Sequence, residues 1–343
     1  MQYSNQISHT HSRIEWIDTA KALGIILVVL GHTYDIPHWL YCLIYGFHMP
    51  LFFLLSGLTY RYDPNISFGS YVIKLAKAYL LPYITLAFIN LVLHSLWLLY
   101  LGQLNFSIIG RFLVGTLYCY ATMEWMPNCS PLWFLCAIFL SKFFLFLFYR
   151  LFHGNKFRIS CAIVICGLIA WLLSLSTLPR LPWNILPAMM GSIFLWTGHL
   201  LRGDKEFLSR GWSRATILPI LLSLALSPWL MDNVPGMNQN FYDNVLLFLI
   251  SGFGFSFLLI LLSTQIKRIS FLTNFVGKHT VILMGFNYFA RTFAVEFYYL
   301  IPVVRKHLIH PLVAFILTLL ALFAITWIYI RFIEARRKRS YAA

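Results

Sequence analysis

A lysine and a histidine stand at the two ends of one apolar stretch near the start of the chain. Lys21 and His32 enclose ten residues that are all aliphatic or glycine. In a helix this spacing separates the two by about 16 Å, roughly half of a ~30 Å hydrocarbon core. A cation at one membrane surface can bind an anionic donor. A titratable ring past the midplane can accept or release a proton during the reaction of that donor. The alternative is a lysine that snorkels to the headgroups and a histidine bonded to a nearby carbonyl.

Further polar side chains lie inside apolar segments, where ionisable groups are costly and function is the first hypothesis. His48 lies in "FHMPLFFLLSG", and Asn287 and Arg291 are one helical turn apart in a late segment. Asp35 follows His32 by three residues, so in a continuous helix it lies on the same face and can orient the ring. It can equally be a residue of an exterior loop.

A basic cluster is predicted at the inner end of the first apolar segment. "VIKLAKAYLLP" puts Lys74 and Lys77 one turn apart on one helix face. With Arg13 and Lys21 they suit a phosphorylated ligand. The alternative is that these charges contact only lipid headgroups.

Composition assigns the chain to the membrane proteins. Of 343 residues, 60% are hydrophobic and 11% are charged, with a mean hydropathy of +0.75, whereas soluble domains are about a quarter charged. The sequence predicts an all-α, polytopic integral membrane protein. The ten predicted transmembrane helices lie at about 19–36, 38–60, 78–100, 131–149, 159–178, 184–201, 215–231, 243–263, 280–297 and 311–333.

The distribution of basic residues predicts the orientation. With both termini cytoplasmic, 20 of the 26 Lys and Arg residues fall on the inner side and four on the outer side, as the positive-inside rule requires. The net charge of +15 then reflects topology and contact with membrane lipids. No nucleic-acid-binding motif accompanies it, so we expect no nucleic-acid partner.

One transmembrane domain is predicted over 1–343. Residues 1–12 and 335–343 are expected to be solvated cytoplasmic ends, and 101–130 an exterior segment with an interfacial or re-entrant helix. The six cysteines show no metal-ligand spacing, and no metal is expected. Cys119 and Cys129 either pair in an oxidising compartment or remain buried thiols.

Four stretches together resemble a known family: "RIEWIDTAKALGIILVVLGH", "FHMPLFFLLSG", "IKLAKAYLLP" and "PLWFLCAIFL". They resemble the membrane-bound acyltransferase family 3, and within it the branch of fucose and surface-polysaccharide O-acetyltransferases. The basic residue followed after ten positions by histidine, here Lys21 and His32, is the family's most diagnostic element.

The resemblance implies an enzyme of the bacterial inner membrane. It takes an acetyl group from cytoplasmic acetyl-CoA and delivers it to a sugar hydroxyl of a surface polysaccharide, such as lipopolysaccharide O-antigen, or of its lipid-linked oligosaccharide precursor. By the same resemblance His32 is the catalytic histidine, and Lys21, Lys74 and Lys77 help hold the donor.

Two positions depart from the family pattern. The family's Arg-x-x-Arg appears here as Lys74-x-x-Lys77, which keeps the charge but loses the bidentate fork that suits phosphate. Many relatives carry a histidine in the late segment where this chain has Asn287. Either that residue only hydrogen-bonds or another group replaces it, with His48 as the candidate.

The residues fit acyl transfer from a thioester to an alcohol. A neutral imidazole can accept the hydroxyl proton, and Asn287, Arg291 or a backbone N–H can serve the developing oxyanion. A covalent acyl-histidine and direct transfer both remain open. So do a succinyl or other acyl donor, and a non-catalytic transporter or flippase of lipid-linked sugar or acyl donor.

Overall fold

The computed structural model describes residues 14–120, 122–177, 179–266, 269–301 and 308–342, with no account of the side chains of 336–342. Over these residues the protein is all-α, without a β-strand, and has one isolated bridge between Gly236 and Phe241. Arg13, one of the predicted donor-binding residues, lies outside the described residues.

Twelve α-helices form the described part of the chain. They are α1 (Glu15–Gly31), α2 (His38–Leu58), α3 (Phe68–Tyr100), α4 (Phe106–Tyr118), α5 (Trp133–Leu151), α6 (Lys156–Ser174), α7 (Ile185–Leu201), α8 (Lys205–Arg210), α9 (Arg214–Leu226), α10 (Val245–Gln265), α11 (Thr280–Leu300) and α12 (Pro311–Ala342). A π-helix at Phe271–Val276 packs against α1.

Seven helical segments in the described residues are long and apolar enough to cross a membrane, as judged from length and composition. They correspond to α2, α3, α5, α6, α9 with the 3₁₀ turn that follows it, α10 and α12. The other three predicted spans coincide with α1 and α7, each 17 residues long, and with α11, which carries Arg291 and Glu296. The count of ten and the side on which the termini lie therefore stay predictions.

Two predicted boundaries differ from the structure. The first helix ends at Gly31 rather than at 36, and His32 already departs from helical geometry with φ of −101° and ψ of 3°. The third helix begins at Phe68, ten residues before the predicted start, where the Ser67 side chain accepts the Ser70 backbone N–H at 3.2 Å.

Helix α2 lies at the centre of the bundle and packs against α1, α7 and α10. Its crossing with α7 depends on two glycines. A Cβ on Gly57 would lie 1.9 Å from the Leu195 carbonyl oxygen, and one on Gly198 would lie 2.1 Å from that of Leu54. Small residues at a helix interface let backbones approach, which is a principal source of helix association in membranes.

The 101–130 segment contains α4, where an interfacial or re-entrant helix was expected. Asn105 caps it by accepting the Ser107 N–H at 2.9 Å, and only Phe112 and Gly115 in it are buried. Cys119 and Cys129 are buried and free. Whether this segment is exterior stays a prediction.

Candidate active site

His32 caps the C-terminal end of α1, and a backbone carbonyl of that helix determines which nitrogen of the His32 ring carries the proton. The Nδ1–H donates to the Val28 carbonyl at 2.7 Å. A carbonyl only accepts, so in a neutral ring the proton lies on Nδ1 and Nε2 carries the lone pair. Within the described residues Nε2 has no hydrogen-bond partner. His32 therefore presents an available base.

His48 repeats this arrangement on α2. Its Nδ1–H donates to the Ile44 carbonyl at 2.7 Å, and the side chain is buried. The two rings lie edge to face with centroids 6.4 Å apart. The structure thus brings together the two histidines that the sequence singled out.

Two tyrosines complete an aromatic frame around these rings. The centroid of Tyr288 on α11 lies 5.2 Å from that of His32, and Tyr45 on α2 lies 5.8 Å from His32 and 5.0 Å from His48. Tyr41 packs on Tyr45 at 4.1 Å. Three helices therefore hold the imidazoles in a fixed orientation.

This frame opens into a cavity of about 430 Å³, here called the main cavity. Its size is in the range of small-molecule sites. Its walls come from α1, α2 and α11, from the loops on either side of Ser130, and from the Val234–Gln239 stretch. No carboxylate or cationic side chain of the described residues lines it. The imidazoles are thus the strongest bases at its walls.

Arg291 ties α11 to the end of α1. Its Nη1 donates to the His32 carbonyl at 2.8 Å, where a cation also complements the helix C-terminus. The guanidinium lies over the rings of Tyr34 and Tyr288, at 4.4 Å from each centroid. Its contacts fix the His32 backbone, and its Nε is buried without a hydrogen-bond partner.

Asp35 does not lie one helical turn beyond His32, because α1 has already ended and Asp35 adopts a left-handed backbone with φ of 55°. The expected helical relation was wrong, and the Val28 carbonyl accepts the hydrogen bond that the ring donates. Asp35 is exposed and lines a second opening of about 390 Å³ that also reaches His32, Tyr288 and Arg291.

Asn287 lies on α11, directly before Tyr288. It is 1% exposed, and neither its amide nitrogen nor its amide oxygen has a hydrogen-bond partner. Leaving such groups unpaired in a protein interior costs about 1–3 kcal/mol each. Asn287 lines neither opening at His32, although Met284 and Tyr288 on the same helix line the main cavity.

The three described lysines of the predicted donor site lie away from these openings. Lys21 forms an ion pair with Asp18 at 3.6 Å, and Lys74 and Lys77 are exposed on α3. None of them lines either cavity that reaches His32. The structure therefore leaves their shared role as a prediction.

Tyr41, Tyr45 and Tyr288 were missed in the sequence. Tyr41, Tyr45 and His48 are spaced by four and three residues, which places them on one helix face, and this signal was available. In a chain with 19 tyrosines it did not stand out. Among the described residues no group of three or more His, Cys, Asp or Glu could hold a metal ion.

The described part of the chain is an all-helical bundle with helices long enough to cross a membrane, and its uncharged cavity holds an oriented imidazole. The chain matches the Acyl_transf_3 family model, described as an acyltransferase domain, over residues 14–331, and it belongs to this family of membrane acyltransferases. Comparison with curated proteins and with solved structures found no significant match.

Proposed function

We propose that the protein is an O-acetyltransferase that moves an acetyl group from cytoplasmic acetyl-CoA to a sugar hydroxyl. The acceptor is a surface polysaccharide or its lipid-linked precursor, in the manner of the fucose and surface-polysaccharide O-acetyltransferases that the sequence resembles. The site is the bacterial inner membrane, crossed ten times with both termini in the cytoplasm. The observation that carries the proposal is the His32 ring, held by Val28 with Nε2 available at the main cavity.

His32 acts as the general base. Its Nε2 accepts the proton of the sugar hydroxyl as the oxygen attacks the thioester carbon. The C–S bond of the thioester breaks, the ester C–O bond forms, and the proton passes from Nε2 to the leaving thiolate. His48, 6.4 Å away between ring centroids, helps orient the reactants in the same cavity.

In this proposal Asn287 donates to the developing oxyanion; its amide does not line the main cavity in this structure, so it must reach the reacting atoms past Met284 and Tyr288 of the same helix. Its amide is buried and has no partner in the described residues, so its N–H groups are free to donate. Arg291 already donates to the His32 carbonyl, so its part is to hold the base rather than to meet the oxyanion. Asp35, at the rim of the second opening, contacts the incoming acceptor.

The donor binds at the opposite end of α1. Lys21, Lys74, Lys77 and the undescribed Arg13 attract the phosphates of coenzyme A. The ~16 Å from Lys21 to His32 along the helix is a length that an extended pantetheine arm can bridge. This division places the anionic part of the donor in the headgroup region and the thioester at the imidazole.

The test is acetyl transfer by the purified protein in liposomes, with radiolabelled acetyl-CoA outside and a panel of oligosaccharides inside. We expect label in the oligosaccharide and release of free coenzyme A in equal amounts. Succinyl-CoA in place of acetyl-CoA tests the other acyl group. Passage of intact donor or sugar across the membrane without ester formation would contradict the proposal and indicate transport.

A further inference from the structure

A second polar cavity adjoins the main cavity and shares Asn238 and Gln239 with it. It is here called the amide cavity, because Asn184 and Asn240 also line it, together with Arg180. Its volume of about 90 Å³ holds several water-sized groups, since one water needs roughly 10–15 Å³ on the same measure. The two cavities therefore meet at Asn238 and Gln239.

Arg180 brings a cation without a carboxylate into this cavity. Its Nη2 donates to the Asn238 carbonyl, and its guanidinium lies 5.4 Å from the ring centroid of Tyr120. Its Nη1 is buried and has no hydrogen-bond partner. No ion pair of Arg180 occurs among the described residues. An unpaired buried N–H is costly, and a bound anion would satisfy it.

Asn240 supplies an acceptor at the same place. The side chain is 8% exposed, and its Nδ2 donates to the Ala170 carbonyl at 2.8 Å, which fixes the orientation of the amide. Its Oδ1 is buried without a partner. Arg180 and Asn240, which both line the amide cavity, thus each keep one buried polar atom without a partner and are anchored by their other hydrogen bonds.

We propose that the amide cavity binds a uronic acid residue of the acceptor glycan, next to the sugar that is acylated. The carboxylate pairs with Arg180, because guanidinium–carboxylate pairs are among the strongest hydrogen bonds in proteins. A ring hydroxyl donates to Asn240 Oδ1. This inference rests on the proposed function and specifies its substrate class, an acidic glycan of at least two residues.

Thermal unfolding of the purified protein tests the subsite with two simple probes. Sodium glucuronate should raise the melting temperature over a millimolar concentration series, by preferential binding to the folded state. Glucose, at an ionic strength matched with sodium chloride, should not. An equal shift with both sugars, or no shift with glucuronate, would overturn the proposal without any variant. A larger shift with glucose 1-phosphate would overturn the choice of a carboxylate.

Variants then test whether glucuronate binds at Arg180. Arg180→Gln should weaken the apparent affinity for glucuronate at least about tenfold, because the variant loses one charged hydrogen bond to the ligand. The matched control is Arg111→Gln, because Arg111 is exposed and paired with Glu124 at 3.0 Å. It should bind glucuronate as the wild type does. Unchanged affinity in Arg180→Gln would contradict the assignment.

Acetyl transfer measured on the same preparations separates the two proposals. Glucuronate binding without any acetyl transfer would refute the acetyltransferase function and leave an acidic-sugar site. Acetyl transfer with equal KM values for neutral and acidic oligosaccharides would refute the subsite and leave the enzyme.

Discussion

Arg291 on α11 holds the backbone of His32 at the end of α1 through a hydrogen bond of 2.8 Å from Nη1 to the His32 carbonyl. The same guanidinium is packed between the rings of Tyr34 and Tyr288. Because Tyr288 also contacts the His32 ring, one side chain fixes both the main chain and the surroundings of the proposed base. Arg291 is therefore a positioning residue.

Replacing Arg291 should lower turnover more than affinity. In Arg291→Gln we expect kcat to fall about tenfold or more, because a misplaced base loses part of the 10²–10⁴-fold gain of general-base catalysis. KM for acetyl-CoA should stay near that of the wild type. Arg291→Lys should recover part of the loss. Steady-state kinetics decide the matter, and a raised KM with unchanged kcat would assign Arg291 to donor binding.

His48→Ala should cause a partial defect. The ring lies beside His32 and is anchored to Ile44, but it is not the proposed base. We expect kcat to fall about tenfold, within the lower part of what a positioned group contributes. An acetyl-transfer assay measures this. A loss as large as that of His32→Ala would make His48 an equal partner in the proton transfer.

The lysines of the donor site should act on KM. Lys74→Ala and Lys77→Ala should each raise KM for acetyl-CoA about tenfold, since a charged hydrogen bond contributes ~1.5–3 kcal/mol before screening. Lys74→Arg should retain most of the affinity. Calorimetric titration with coenzyme A measures the affinity of each variant. The control is Lys205→Ala, because Lys205 is another exposed lysine. Wild-type affinity in the double variant would leave the pair as lipid contacts.

The α2–α7 crossing should not tolerate a methyl group. In Gly198→Ala the new Cβ would lie 2.1 Å from the Leu54 carbonyl oxygen, so the helices must separate. We expect a destabilisation of about 1–3 kcal/mol, as for overpacking in a core, measured as a lower melting temperature of the purified protein. Gly110→Ala is the control, because its Cβ would meet nothing within 4 Å. Equal melting temperatures would mean that the crossing is loosely packed.

Apolar length predicted where most helices lie, because each span must hide its own backbone from lipid. The C-terminal end of α1 is a boundary that this reasoning from hydropathy predicted wrongly. Hydropathy continued the helix to 36, whereas the backbone leaves helical geometry at His32, five residues after which Pro37 follows. That end determines the site, since it separates Asp35 from the expected face and exposes the His32 carbonyl to Arg291.

The candidate site was predictable for residues whose chemistry is rare in a membrane, such as His32, His48 and Arg291. Tyr45 and Tyr288 were not, because aromatic residues also pack cores and face lipid. Their role comes from three helices meeting, a long-range relation that spacing along one helix does not contain. The unpaired groups of Asn287, Arg180 and Asn240 are likewise visible only after packing.

The most direct test of the account is acetyl transfer by His32→Ala beside His279→Ala. The two histidines are a matched pair, because the Nδ1–H of His279 also donates to the carbonyl four residues earlier, at 2.8 Å, yet His279 lines neither opening at His32. With equal amounts of folded protein in liposomes, we expect His32→Ala to lose at least about 10²-fold in kcat and His279→Ala to retain wild-type kcat. Wild-type transfer by His32→Ala would contradict the account.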